Sequence, residues 1–288
     1  MREYDSQLWL DCGLTLGEGP IWDQGRACLW FVDIDGKLLL RADAEKNVLR
    51  YNMPFKIGSC GLTTAEQIVV ALEDGLYLFT PSNQGLRLVE RLNTDPLQRF
   101  NDGKCDPAGN FWAGTMARAE DKPLGALYRW RPGKGAKKMA EGIICSNGIA
   151  YSLDSKTMYY IDSFTHAVDA FDYDLETGDI ANRRTILRID PANGVPDGMT
   201  IDCEGMLWVA QWGGFQVGRY DPATGEKLAK VHVPVECTSC PTFGGANLDT
   251  LFITTANKGH KGLPESHPGA VFTAQVGVCG LAPHLVKL

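Results

Sequence analysis

The 288-residue chain has no apolar run near the roughly 18 residues that a membrane span requires; stretches such as Cys28 to Val32 and Ile68 to Leu72 stop at five. Positive charge is in deficit, with 28 Lys and Arg against 35 Asp and Glu and a formal net charge of −7, so no basic surface is available to gather a nucleic-acid backbone. Neither a membrane nor a nucleic acid is therefore an expected partner. An apolar leader is missing too. Met1-Arg2-Glu3-Tyr4-Asp5 is charged where an export signal would be hydrophobic, which makes the cytoplasm the expected compartment. The chain contains no G-x-S-x-G elbow, no H-E-x-x-H and no phosphate-cradling loop, and its five histidines do not cluster. Nine scattered cysteines, an odd number without a secretion signal, read as reduced thiols packed as small hydrophobes. The one close pair, Cys237-Thr-Ser-Cys240, lacks the second pair or the spaced histidines of a zinc site.

What the chain does have in quantity is glycine, 32 residues, which with 15 prolines divides it into short segments instead of long helices. A unit recurs: a small or polar residue and usually Gly, an apolar stretch, a tight turn, then a strongly apolar strand. The clearest copies are Asn147-Gly148-Ile149-Ala150-Tyr151 leading to Met158-Tyr-Tyr-Ile-Asp162, and Asp197-Gly198-Met199-Thr200-Ile201 leading to Met206-Leu-Trp-Val-Ala210. Glu18-Gly19-Pro20, Cys60-Gly61, Asp102-Gly103 and a degenerate Cys240-Pro241-Thr242 open the others. The starts at 18, 60, 102, 147, 197 and 240 are 42 to 50 residues apart, the period of a propeller blade. A third apolar strand follows in most units, through turns such as Asp35-Gly36 and Asp74-Gly75. The expected fold is all-β, a six-bladed β-propeller forming one domain over residues 1–288. Two stacked β-sandwiches would explain the strands but not six evenly spaced starts. Leu8-Trp9-Leu10, before the first unit, is free to complete the last blade.

The innermost strand of each blade begins where the central channel opens, so the repeat predicts a ring of Glu18, Cys60, Asp102, Asn147, Asp197 and Cys240 at one mouth. Asn or Asp before Gly is also what turn chemistry alone selects, which would make these glycines turn markers at the blade starts. Glu18 resists that reading, because Glu is a poor turn residue. Oxygen ligands converging from separate blades would repel one another without a cation between them, and a set of Glu, Asn and Asp suits a hard divalent ion. Phe31-Val-Asp33-Ile-Asp35-Gly36 is not an EF-hand, since Phe31 and Ala42 stand where acids are needed. The tryptophans at 30, 112 and 208 occupy equivalent strand positions and are expected to pack between blades, whereas Trp212 is open to either reading. The connections 117 to 124, 212 to 214 and 256 to 268, the last with His260 and His267, are expected to rim the mouth.

Four motifs in register carry a resemblance: Leu16-Gly-Glu18-Gly-Pro-Ile-Trp22; Arg99-Phe-Asn101-Asp102-Gly-Lys104 with Asp106-Pro-Ala-Gly109 and Ala113-Gly-Thr-Met116; Ser146-Asn147-Gly148; and Pro196-Asp197-Gly-Met199. From about residue 8 to its end the chain resembles the senescence marker protein/gluconolactonase/regucalcin family of propeller sugar lactonases, some members of which are described as calcium-binding. The resemblance implies one divalent cation, Ca, Zn, Mn, Mg or Fe(II), held by Glu18, Asn147 and Asp197. It implies that Asp197 is also the acid/base residue, and that Arg99 and Asn101 hold the substrate, a small-molecule sugar lactone. Asp102 is not one of the family's usual ligands and is expected to orient Asn101 or a water. Some members place a substrate-contacting Glu three residues after the Gly-Thr-Met segment; here that position is Ala119, with Glu120 one residue further on.

A lactone is an activated ester, so a cation that polarises its carbonyl and a carboxylate that deprotonates water suffice without a covalent nucleophile. The expected activity is hydrolysis of an aldonolactone to the aldonic acid, a reaction of carbohydrate metabolism. Three alternatives remain: a calcium-binding regulatory protein using the same cation site, a phosphotriesterase-like propeller hydrolase, and an interaction scaffold of the WD40 class. No Gly-His or Trp-Asp blade signature of that scaffold class recurs here.

Overall fold

A computed structural model describes residues 1–92, 95–258 and 267–288. The short apolar segments form six separate antiparallel sheets, one for each repeat, arranged as a six-bladed β-propeller. Two single-turn 3-10 helices, Ser163–Thr165 and Pro191–Asn193, are the only helical segments among the described residues. Every repeat start falls on an inner strand: Gly17–Asp23, Ile57–Leu62, Gln98–Cys105, Ser146–Tyr151, Val195–Ile201 and Thr238–Gly244, in blades one to six. These strands are buried almost throughout because neighbouring inner strands crowd them from both sides. Their sequences accordingly lack the in/out alternation of a half-exposed strand.

The ring closes through the N-terminus. Gln7–Leu10 pairs antiparallel with Val271–Gln275 and supplies the fourth strand of the sixth blade, as expected. Arg2–Asp5, for which the repeat made no provision, adds a fifth strand to the fifth blade, parallel to Lys227–His232. Six apolar clusters lie one between each pair of neighbouring blades, so the ring is held by contacts around its circumference and not by a single central core. Trp30, Trp112 and Trp208 belong to three of them. The indole N–H groups of Trp112 and Trp208 donate at 2.8 Å to Asp106 and Asp202, carboxylates buried in the tight turns six residues earlier.

Each inner strand carries one extra residue relative to its partner strand, a β-bulge, at the point nearest the site. A bulge bends the strand and re-aims side chains that regular pairing would hold on the ladder. In the third, fourth and fifth blades the paired residues on either side are Phe100 and Gly103, Ser146 and Ile149, and Pro196 and Met199. Asn101, Asn147 and Asp197 are thus equivalent, and Asp102 falls at the level of Gly148 and Gly198. The ring read from the sequence is therefore corrected in three blades: Asn101 replaces Asp102 in the third, and Gly58 and Ser239 stand in the bulges of the second and sixth in place of Cys60 and Cys240, while Glu18 is the paired residue just before its bulge.

The glycines after these residues are not turn markers. Gly103, Gly148 and Gly198 all lie outside the left-handed region; only Gly19, in the first blade, has positive φ, at 52°. They are needed for space. A Cβ on Gly148 would meet the Asp197 carbonyl oxygen at 2.8 Å, and one on Gly198 would overlap the Cys240 side chain and backbone. Gly198→Ala is therefore expected to lower stability by about 1–3 kcal/mol through overpacking, read as a reduced urea midpoint with an unchanged slope.

Candidate functional site

The bulges, and the paired residues just before them, deliver side chains from four blades to one cavity of about 300 Å³ at the channel mouth. Glu18 comes from the first blade, Arg99 and Asn101 from the third, Asn147 from the fourth and Asp197 from the fifth, and all five are buried. The second and sixth blades place Gly58 and Ser239 in their bulges instead. The Ser239 hydroxyl is turned away, donating to the Gly17 carbonyl at 2.6 Å. All five residues named from the sequence as metal or substrate contacts thus line the same cavity, while Cys60, Asp102 and Cys240 do not.

Local structure holds these groups in place. Asp33, at the end of the first blade's second strand, accepts from the Thr15 and Leu16 N–H groups at 2.9 and 3.0 Å, fixing the backbone just before Glu18. Asp162 does the same in the fourth blade, accepting from Ile144 and Cys145 at 3.1 and 2.9 Å just before Asn147. The next residue, Ser163, accepts from Asn147 Nδ2 at 2.8 Å, which turns the Asn147 carbonyl oxygen toward the site. Asn101 Nδ2 donates to the Ser146 carbonyl at 2.8 Å and lies 3.3 Å from Asn147 Oδ1. Arg99 Nη1 donates to Asn101 Oδ1 at 2.6 Å. Asn101 is thus oriented by Arg99 and the fourth blade, not by Asp102. The Asp102 carboxylate accepts from the Gly103 N–H at 2.7 Å through one oxygen, and its other oxygen is buried with no hydrogen-bond partner.

Electrostatically the mouth is a concentration of like charge. Burial, and then the neighbouring Asp102, pushes Glu18 up to about 8. Asp197 is held well above the ordinary carboxylate range by burial, then by Glu18, Asp102 and Glu120. Burial raises Asp102 as well. Arg99 and Lys104 oppose the shift on Glu18 only in part. Burial also drives the Cys145 thiol far up, so it offers no thiolate nucleophile beside the site. Among the described residues no group of three or more His, Cys, Asp or Glu side chains is arranged to hold a metal ion; a cation here would rely on the amide oxygen of Asn147 beside the two carboxylates.

The connections expected to rim the mouth contribute Glu120, Trp212 and Lys258 to the cavity wall. Glu120 reaches it although it stands one residue beyond the family position, on backbone with φ 58°. His267 is not part of the wall; it lies 2.9 Å from Asp11, and His260 falls outside the described residues. Sequence reasoning missed Phe164, which also lines the cavity. It sits in the short helix after Asp162, and that connection has the same position in its blade as 117 to 124 and 212 to 214 have in theirs.

Six blades, with two carboxylates, two amides and an arginine lining one cavity at the axis, define a six-bladed propeller with a polar axial site. Residues 16–257 match the SMP-30/Gluconolactonase/LRE-like region, and the chain belongs to that family. Regucalcin of Homo sapiens is 39% identical over 294 residues, covering 97% of this chain and 98% of its own. A putative sugar lactone lactonase, YvrE, of Bacillus subtilis (strain 168) is 34% identical and covers 97% of both. The solved structure of a calcium-binding protein, regucalcin, from Agrobacterium tumefaciens is similar with a TM-score of 0.93 and 28% identity, covering 100% of this chain and 99% of that one.

The sign of the Glu18 shift sets a pH dependence. Glu18 is raised from 4.5 to about 8, so the folded chain binds its proton more tightly than the unfolded chain. Below 4.5 the two states are equally protonated and nothing is lost. As pH rises from 4.5 toward 8 stability falls, and above 8 the full penalty is present. In chelator, the melting temperature is expected to drop by several degrees between pH 5 and 8. Glu18→Gln should flatten that slope.

Proposed function

We propose that the chain is a metal-dependent sugar lactonase, a carboxylic ester hydrolase that opens an aldonolactone to its aldonic acid. The observation that carries this reading is the convergence of Glu18, Asn147 and Asp197 beside Arg99 and Asn101 in one cavity. Membership of a family that includes gluconolactonases, and likeness to a putative sugar lactone lactonase, support the substrate class. The donor chemistry fits a divalent cation: two repelling carboxylates and an amide oxygen beside them in one buried cavity. Glu18, Asn147 and Asp197 would hold the ion, and an all-oxygen set accepts Ca, Mn, Mg, Zn or Fe(II).

When bound, the cation supplies positive charge that polarises the lactone carbonyl and favours the ionised forms of Glu18 and Asp197. Asp197, once ionised, takes a proton from the attacking water and returns it to the ring oxygen as that oxygen leaves. Arg99 is steered by its bond to Asn101 and donates to sugar oxygens, while the Asn101 amide fixes the substrate beside Asn147. Glu120 lies on the wall as an acceptor for sugar hydroxyls, and Trp212 and Phe164 form the apolar walls around the ring. No step needs a covalent nucleophile. Nine cysteines with no disulfide among them suit a reducing compartment, and we place this single-domain propeller, residues 1–288, in the cytoplasm.

A second reading has a specific support, since the solved relative from Agrobacterium is described as calcium-binding. The same site would then bind calcium without turnover. Stripping the protein of metal and assaying sugar lactones by acid release as each cation is restored separates the two readings. Calcium binding with no hydrolysis under any combination would exclude the lactonase. Asp197→Asn is expected to lower kcat by about 10²–10⁴, with metal retention by equilibrium dialysis affected far less. Arg99→Met should raise KM by about tenfold or more, with a smaller effect on kcat.

A further inference from the structure

The chain beyond its last strand crosses the face of the propeller opposite the candidate site. The Gly280 N–H donates to the Leu248 carbonyl at 2.8 Å, the Val286 N–H to the Leu62 carbonyl at 2.9 Å and the Lys287 N–H to the Gly109 carbonyl at 3.0 Å. Residues 280–287 are thereby laid over blade ends around the ring, above a second cavity of about 120 Å³. Where this strap meets the fifth blade, Asp202 and Gly280 form an antiparallel bridge, and the Cys203 N–H donates to the Cys279 carbonyl at 2.9 Å. Cys203 and Cys279 are therefore directly opposed although 76 positions apart, with their sulfurs 2.8 Å from each other. Directly opposed residues of an antiparallel pair hold their Cα atoms about 4.5–5.5 Å apart, inside the window that a disulfide spans.

Accessibility distinguishes this pair from the other thiols. Cys203 is exposed and Cys279 half-buried, whereas six of the other seven cysteines are buried and Cys12 is half-buried. The Cys279 thiol donates to the Cys203 sulfur, and Cys203, the more exposed of the two, is the better placed to meet an external disulfide.

We propose that Cys203 and Cys279 are a disulfide-forming site that fastens the C-terminal strap to the fifth blade. The oxidant is a small-molecule disulfide of the glutathione class. The Cys203 thiolate attacks one of its sulfurs and releases the first small thiol. Cys279 then attacks the Cys203 sulfur of the mixed disulfide and releases the second. Each protein thiol's proton ends on a departing thiolate, so two protein thiols are oxidised and one small disulfide is reduced to two thiols. The new bond closes a long loop and removes conformations from the unfolded chain, so the oxidised form gains stability.

The test uses the whole protein incubated with oxidised glutathione at mildly alkaline pH, followed by thiol alkylation and non-reducing peptide mapping. The expected product is a linked Cys203–Cys279 peptide pair, lighter by two hydrogens than its separate thiol peptides. A rise in melting temperature of about 5 °C should accompany it, and dithiothreitol should reverse both. Cys203→Ser and Cys279→Ser should keep the native circular dichroism and lose both the cross-link and the shift. Persistent glutathione on Cys203, alkylation of both cysteines after the treatment, or a melting shift that survives in either serine variant would overturn the proposal.

Discussion

Carboxylates from the first, third and fifth blades approach one another at the axis of this ring, where burial has removed most of the water that would screen them. Asp102 raises the cost of ionising Glu18, both of them raise that of Asp197, and Arg99 and Lys104 offset the effect on Glu18 only partly. Such an arrangement is expensive to maintain in a fold whose total stability is small. It persists because the surrounding structure leaves these side chains nowhere else to go. Asp33 and Asp162 clamp the backbone just before Glu18 and Asn147, and Ser163 holds the Asn147 amide in one orientation. The same repulsion that weakens the metal-free fold is what a divalent cation would relieve, so the strain and the proposed chemistry have one origin.

Convergence at the axis is a geometric achievement before it is an electrostatic one. Inner strands must approach closely enough that their side chains share a cavity of about 300 Å³. Glycine immediately behind Asn147 and Asp197 permits that approach, since Gly148 faces the Asp197 carbonyl and Gly198 faces Cys240. The bulge completes the arrangement by releasing one residue per strand from the ladder and aiming it inward. Four blades use that residue or its neighbour for a polar group, and two fill the position with a small residue that makes room.

Several elements were legible in the sequence for physical reasons. A blade is a local unit of short apolar strands and tight turns, so its period survives in the spacing of turn residues and apolar runs. Glu18, Asn147 and Asp197 stood out because each is a polar group at the head of an otherwise apolar strand. Asp102 was misplaced by one residue because a bulge adds a position that no periodic pattern marks; the paired residues around it reveal Asn101 as the equivalent of Asn147. The glycines were misread as turn markers for a related reason. Glycine can signal a left-handed backbone or a close neighbour, and only the packing of adjacent blades distinguishes the two. Phe164 escaped notice because the connection that carries it is too short and irregular to show a pattern.

Local order therefore decided how many blades form, where each begins and which chemical groups stand at its head, since strand and turn preferences act over a few neighbouring residues. Tertiary structure alone decided which groups meet. Asn101 touches Asn147, and Glu18 comes to share a cavity with Asp197, only because the packing of blades around the ring brings together residues far apart in the chain. The opposed Cys203 and Cys279, and the strap that brings them together, depend on the same closure. Contacts of that range are selected by the packing of whole blades against each other, and no short stretch of sequence contains the information to specify them.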